Sequence, residues 1–221
     1  MIIDVVQKKK DLFGAEFAIE HQGNSIGRMR LTGSIASMDG HWDIELDGRH
    51  IAMERGKGRI PKELRPFRPY EITMGQKELG AVYQTEEKVG WFRSCGFSQM
   101  YLMGQCYNKY GIGLGHEGGK NPIYKGKVQV AQINTPTVIY DDLHRYHILT
   151  QDDEILAPIL FSAYMYVVGG YKPGVKILTG VSKTITITKD KMLLAKYDPS
   201  FEASFDEQRS DREPNRKDVQ E

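Results

Sequence analysis

The densest chemistry in the sequence is cationic. Between residues 49 and 68, Arg49, Arg55, Lys57, Arg59, Lys62, Arg65 and Arg68 face only Glu54 and Glu63. Ile60, Leu64, Phe67 and Tyr70 are interleaved with these charges, and Gly56, Gly58, Pro61, Pro66 and Pro69 keep much of the stretch out of regular structure. A loop of this composition can lay charge on an anionic membrane surface, each well-placed cation contributing about 1 kcal/mol, while its apolar tips dip among headgroups. Arg55, Lys57, Arg59, Lys62, Arg65 and Arg68 are the expected contacts to lipid headgroups. The bland alternative is a solvated connection with a few weak ion pairs.

The other reactive side chains form no constellation. Cys95 and Cys106 lack a C-x-x-C spacing or a second pair to complete a zinc site, and they read as reduced thiols. A disulfide would need two strands to bring them together. His144 and His147 lie near Asp141 and Asp142, but a three-residue spacing on a strand points the imidazoles to opposite faces, so no metal is expected. Gly111, Gly113, Gly115, Gly118 and Gly119 suggest a phosphate loop until Lys120 is followed by Asn121 and Pro122, where Ser or Thr should open a helix. A hairpin or bulge fits them better. Ser94 and Ser98 sit in no nucleophile elbow. No cofactor and no catalytic set are expected, and nothing here asks for an enzyme, although a site assembled from distant residues would leave no such mark.

The elements that must carry these groups are mostly strands. From residue 14 to residue 73, apolar residues recur at every second position between turn clusters: Phe17 and Ile19, then Met29 and Leu31, then Trp42, Ile44 and Leu46, then Ile51 and Met53. Asp47-Gly48 is a hairpin signal. The theme repeats as far as residue 149, with glycines spread through it as a curved sheet requires. Many short strands at intervals of about ten residues favour a sandwich or barrel. Residues 155–168 are different, being apolar or aromatic at nearly every position, with Gln151, Asp152, Asp153 and Glu154 as an acidic approach and Gly169-Gly170 as the stop. Such a helix must be surrounded on all sides. At about 1.5 Å per residue it is too short for a bilayer core of roughly 30 Å, so no transmembrane span is expected and the helix belongs in a protein core. The fold class expected is mainly β, a closed or strongly curved antiparallel β-barrel around a central apolar α-helix. Two further strands follow around Gly180, and Asp190 is placed to cap a short helix.

Global properties set the bounds. The 221 residues are 40% hydrophobic and 27% charged, enough for one well-filled core. A formal charge of +1 offers no global attraction to a polyanion, which argues against nucleic acid as a partner. The apolar residues at the start precede Lys8, Lys9 and Lys10, the reverse of a signal peptide, so a cytoplasmic protein, peripheral at the membrane if the basic stretch works as read, is expected. A single domain over residues 1–198 and a disordered charged tail over residues 199–221 complete the division. No feature sets an oligomeric state.

The block "VAQINTPTVIYDDLHRYHILTQDDEILAPILFSAYMYVV", residues 130–168, resembles the end of the tubby C-terminal-like superfamily, which includes LURP-one-related proteins and phospholipid scramblases. A strand, a polar turn, a strand with alternating Tyr146 and Ile148, an acidic turn and a wholly apolar helix carry the likeness, and "AEFAIEHQGNSIGRMRL", residues 15–31, resembles the family's recurring strand-turn-strand. The resemblance implies a twelve-stranded barrel around a central helix. Two departures accompany it: about thirty residues of ordered appearance follow the helix here, and the basic stretch near residue 60 matches no motif of the family. No functional residue carries over. The function expected is a non-catalytic tubby-like module that binds anionic phospholipid or a membrane-associated protein; the alternatives are a ligand-free interaction or structural domain and a scramblase-type lipid-moving protein.

Overall fold

A computed structural model describes residues 1–11, 13–33, 40–56, 69–88, 94–169 and 180–210. The chain opens with β1 (Ile2–Lys10), β2 (Gly14–His21), β3 (Asn24–Gly33), β4 (Gly40–Leu46), β5 (Arg49–Arg55), β6 (Tyr70–Met74), β7 (Lys77–Lys88), β8 (Ser94–Leu102) and β9 (Gln105–Lys109), a meander in which each strand pairs antiparallel with the next. It continues through β10 (Ile112–Gly115), β11 (Gly119–Lys125), β12 (Val128–Thr135), β13 (Val138–Tyr140) and β14 (Arg145–Thr150). β9 pairs with β11, β11 with β12, β12 with β14 and β14 with β1, so twelve strands close into an antiparallel barrel. Closure removes the sheet edges that would otherwise template aggregation.

The period-two pattern sorts the faces as expected. Phe17, Ile19, Met29, Leu31, Trp42, Ile44, Ile51 and Met53 are all buried and belong to one apolar cluster that runs round the barrel to Tyr146 and Ile148. Bulges between Ile72 and Thr73 and between Ile123 and Tyr124 bend the wall. Gly80 on β7 has a φ of +152°, and a Cβ there would run into the Tyr101 carbonyl oxygen, so the strand passes its neighbour at a distance only glycine allows. The glycines of residues 111–119 build the β10–β11 hairpin, with Leu114 N–H donating to Gly118 O.

After β14 comes α1 (Leu156–Val168), whose residues from Leu156 to Tyr164, and Tyr166, are buried in the same cluster. The Tyr166 ring centroid lies 5.0 Å from Phe17 and 5.9 Å from Trp42, and that of Tyr164 lies 5.8 Å from Tyr70. Pro158 falls in the first turn, where its missing N–H leaves no intrahelical bond unmade. The acidic approach does not cap this helix: the N-cap is Ile155, with no side-chain cap bond and no acid in the first turn. Glu154 is buried instead and accepts from Lys125 Nζ at 2.6 Å and Tyr107 OH at 2.7 Å. Ion pairing in a dry site outcompetes capping for this carboxylate.

Beyond α1, β15 (Val181–Lys183) pairs with β13, and β16 (Thr186–Ile187) adds to β10. Asp190 caps α2 (Lys191–Leu194), accepting from Met192 N and Leu193 N. The charged segment from residue 199 is not a tail at its beginning: α3 (Pro199–Ser210) is helical, with Phe205 buried and Glu202 bonded to the barrel wall. Low average hydrophobicity hid two anchors one turn apart. The remainder of the expected tail, residues 211–221, lies outside the described residues.

Candidate functional site

The two ends of the barrel are built differently. At one end the connections are tight: Gln22-Gly23, Asp47-Gly48 and Met103-Gly104 all have positive φ at both positions, as two-residue hairpins require. The connections at the opposite end are long, and binding residues concentrate on loops carried by a rigid scaffold. β5 ends and β6 begins there, with Arg55 opposite Tyr70 and Gly56 N–H donating to Pro69 O at 3.2 Å. The residues that bound the basic stretch, Gly56 and Pro69, therefore lie at the long-loop end. Arg55 is exposed at the end of β5, whereas Lys57, Arg59, Lys62, Arg65 and Arg68 lie outside the described residues. Arg49 is separated from Arg55: it begins β5 at the tight-turn end, 3.8 Å from Asp47, a strand length of about 20 Å away.

Sequence reasoning missed the apolar character of the long-loop end. Phe13, in the β1–β2 connection, is 56% exposed, and Tyr140, Leu143, Val181, Ile185 and Ile187 are exposed on the β13–β15 and β16 additions. Exposed Lys9, Lys183 and Lys189 stand among the same connections. The signal was present in Ile185 and Ile187 alternating with threonines, but alternation says only that one face is apolar and not whether anything covers it.

His144 and His147 have different neighbours. His147 Nδ1 lies 3.2 Å from Asp4 Oδ1, which holds the Asp4 carboxyl below its ordinary range. The His144 ring stands edge-on to Tyr166, 5.2 Å between centroids; burial pushes its pKa down, and Asp142 works in the opposite direction. Asp142 itself is bound by Lys10. Among the described residues no group of three or more His, Cys, Asp or Glu could hold a metal ion. Cys95 and Cys106 are free thiols; their strand partners are Glu87 and Tyr101 respectively, and burial raises the Cys95 pKa.

Among the described residues, polar side chains that no motif signalled face inward, Gln7 among them, with Nε2 donating to Tyr166 OH at 3.0 Å. Lys109 shares the face of core Tyr107 on β9, is 8% exposed, and has Asn121 Oδ1 at 3.5 Å as its partner. Burial alone lowers its pKa to about 8. Glu154 with Lys125 and Tyr107 forms another group, at the tight-turn end. On the outer wall, a groove of about 330 Å³ is lined by Lys8, Glu16, Arg28, Arg30, Asp43 and Glu45. Its charges are matched across strands, Arg28 to Glu45 at 2.8 Å and Arg30 to Glu16 at 3.8 Å, so it calls for no charged ligand.

No helix among the described residues is long and apolar enough to cross a membrane. No family model, no curated protein and no solved structure matches this chain. The resemblance to tubby C-terminal-like proteins rests on the residues that carry it.

Proposed function

We propose that the protein is a peripheral binder of anionic membrane surfaces, built as a tubby-like barrel around α1 as its central object and docking through its long-loop end. The observation that carries this reading is that β5 ends and β6 begins, on either side of the basic residues 57–68 in the sequence, at the end of the barrel where Phe13, Tyr140, Val181, Ile185 and Ile187 expose apolar side chains. Cations draw an anionic surface within a Debye length of about 8 Å at physiological salt, and apolar tips add short-range burial that salt does not screen. The central placement of α1 is supported by the burial of every residue from Leu156 to Tyr164 and by its ring contacts with β2, β4 and β6, which lie on a continuous arc of the wall. Lipid transport of scramblase type draws less support, since α1 has only 13 residues.

Co-sedimentation with phosphatidylcholine vesicles, with and without phosphatidylserine, tests the proposal. Binding to the anionic vesicles should fall steeply between low and high salt, and the triple variant Lys57→Glu, Arg59→Glu, Lys62→Glu should lose it while keeping its melting temperature. Equal sedimentation of the unmutated and triple-variant proteins would remove the lipid reading in favour of a ligand-free interaction module.

A further inference from the structure

The outer wall of β11 and β12 holds a carboxylate more completely than a docking contact needs. Lys120 Nζ lies 2.7 Å from each oxygen of Glu202; Asn134 Nδ2 donates to Oε1 at 3.0 Å; Gln132 Nε2 donates to Oε2 at 3.1 Å, and Tyr197 OH to the same oxygen at 3.2 Å. Lys120 and Asn134 are direct cross-strand partners, and Gln132 is two residues from Asn134 on the same face. Gln132 Nε2 also donates to Asn134 Oδ1 at 2.8 Å, which ties two of the donors to each other independently of Glu202. Donors that converge on one point, one of them charged, form an anion receptor, and ionised partners make these bonds about twice as strong as neutral ones. Burial works against the Glu202 charge, yet the bonds from Lys120, Gln132 and Tyr197 outweigh it and hold the carboxyl below its ordinary range.

Within residues 199–205 of α3, Phe201 and Glu202 are half-buried. Of residues 199–205 only Phe205 is fully buried, one turn after Glu202 on the same helix face. A polar helix of 12 residues is marginal alone in water. The preceding segment is tied separately: Tyr124 OH donates to Lys196 O at 2.9 Å, and Lys196 Nζ lies 5.0 Å from the centre of the Tyr110 ring. Release at residues 198–199 would therefore free α3 alone and take from Lys120 the carboxylate it is paired with.

We propose that this wall is a receptor for an acidic helix of a partner protein bearing Glu and Phe three residues apart, and that α3 fills it in cis as a removable latch. The full-length chain carrying Glu202→Ala and Phe205→Ala should bind a labelled peptide of residues 198–210 about tenfold or more tightly than the unmutated chain, whose tethered α3 competes at high effective concentration. Adding Lys120→Glu should abolish that binding. A double variant that keeps the near-ultraviolet spectrum of the parent but binds the peptide no better would overturn the proposal. Hydrogen exchange on the unmutated protein gives a second measurement that depends on no substitution: α3 amides should exchange well ahead of those in β11 and β12, and exchange of all three only together would overturn the latch.

Discussion

Lys109 shows how much a single inward residue can owe to its surroundings. It follows Tyr107 by two positions on β9, so the strand period turns it to the same side, where Asn121 offers an acceptor but no charge. Its pKa of about 8 lies below the ordinary 10.5, so between those values the unfolded chain holds a proton that the folded protein has shed. Stability associated with this residue therefore rises as pH increases from about 8 to about 10.5, and below that window the buried charge costs on the order of 3 kcal/mol. Lys109→Met should accordingly raise the melting temperature at pH 7, and its advantage over the parent should shrink toward pH 10.5. Denaturant unfolding of both proteins across that range reads the difference directly; a parallel pH dependence in the two would show that Lys109 keeps its proton at neutral cost. Glu154 is the contrasting case, a carboxylate taken from water whose two donors, Lys125 and Tyr107, compensate for its burial.

At the scale of elements, α1 is set by composition and α3 by position. The unbroken apolar run of residues 155–168 can satisfy itself only where no face meets water, and Leu160, at 0% exposure, is among its most enclosed residues. Leu160→Asp would place a carboxylate among apolar side chains at a cost of several kcal/mol, against a total stability of about 5–15 kcal/mol. The variant is expected to be aggregated or unfolded, and a cooperative thermal transition close to that of the parent would count against the proposed central placement of α1. Composition misleads for α3, because averaging over residues 199–210 dilutes Glu202 and Phe205 among exposed polar neighbours. Their spacing is visible in the sequence, but the Lys120, Gln132 and Asn134 donors that give it meaning come from strands some seventy residues earlier.

For the whole molecule, the two ends of the barrel differ in how their strands are connected. The tight-turn end exposes Met103 and Val128, whereas the other end carries the exposed apolar additions beside the strand ends that bound the basic residues in the sequence. If that end docks on membranes, its apolar part should govern what persists after salt has screened the cations. Ile185→Ser with Ile187→Ser should leave the melting temperature nearly unchanged, since both side chains are already exposed, at 43% and 66%. The same pair should reduce co-sedimentation with anionic vesicles most clearly at high salt. Retention equal to the parent at both salt concentrations would place the membrane contact elsewhere.

Local periodicity was enough to determine that the chain is mainly β, that the positions of Phe17, Ile19, Trp42 and Ile44 face a core, that Asp47-Gly48 makes a hairpin, and that one short helix is apolar all round. Each of these follows from interactions within a few residues, the range over which strand and helix periods operate. Closure, the neighbours of Lys109 and Glu154, the seating of Glu202 and the gathering of exposed apolar residues at one end were decided by tertiary structure. They depend on pairings such as Ile2 with Leu149, whose partners are far apart in the chain and whose choice is governed by how a twisted sheet of twelve strands meets itself. No local pattern encodes which strand will be the neighbour, so a lysine on an alternating strand reads the same whether it meets water, a carboxylate or an asparagine in a dry interior.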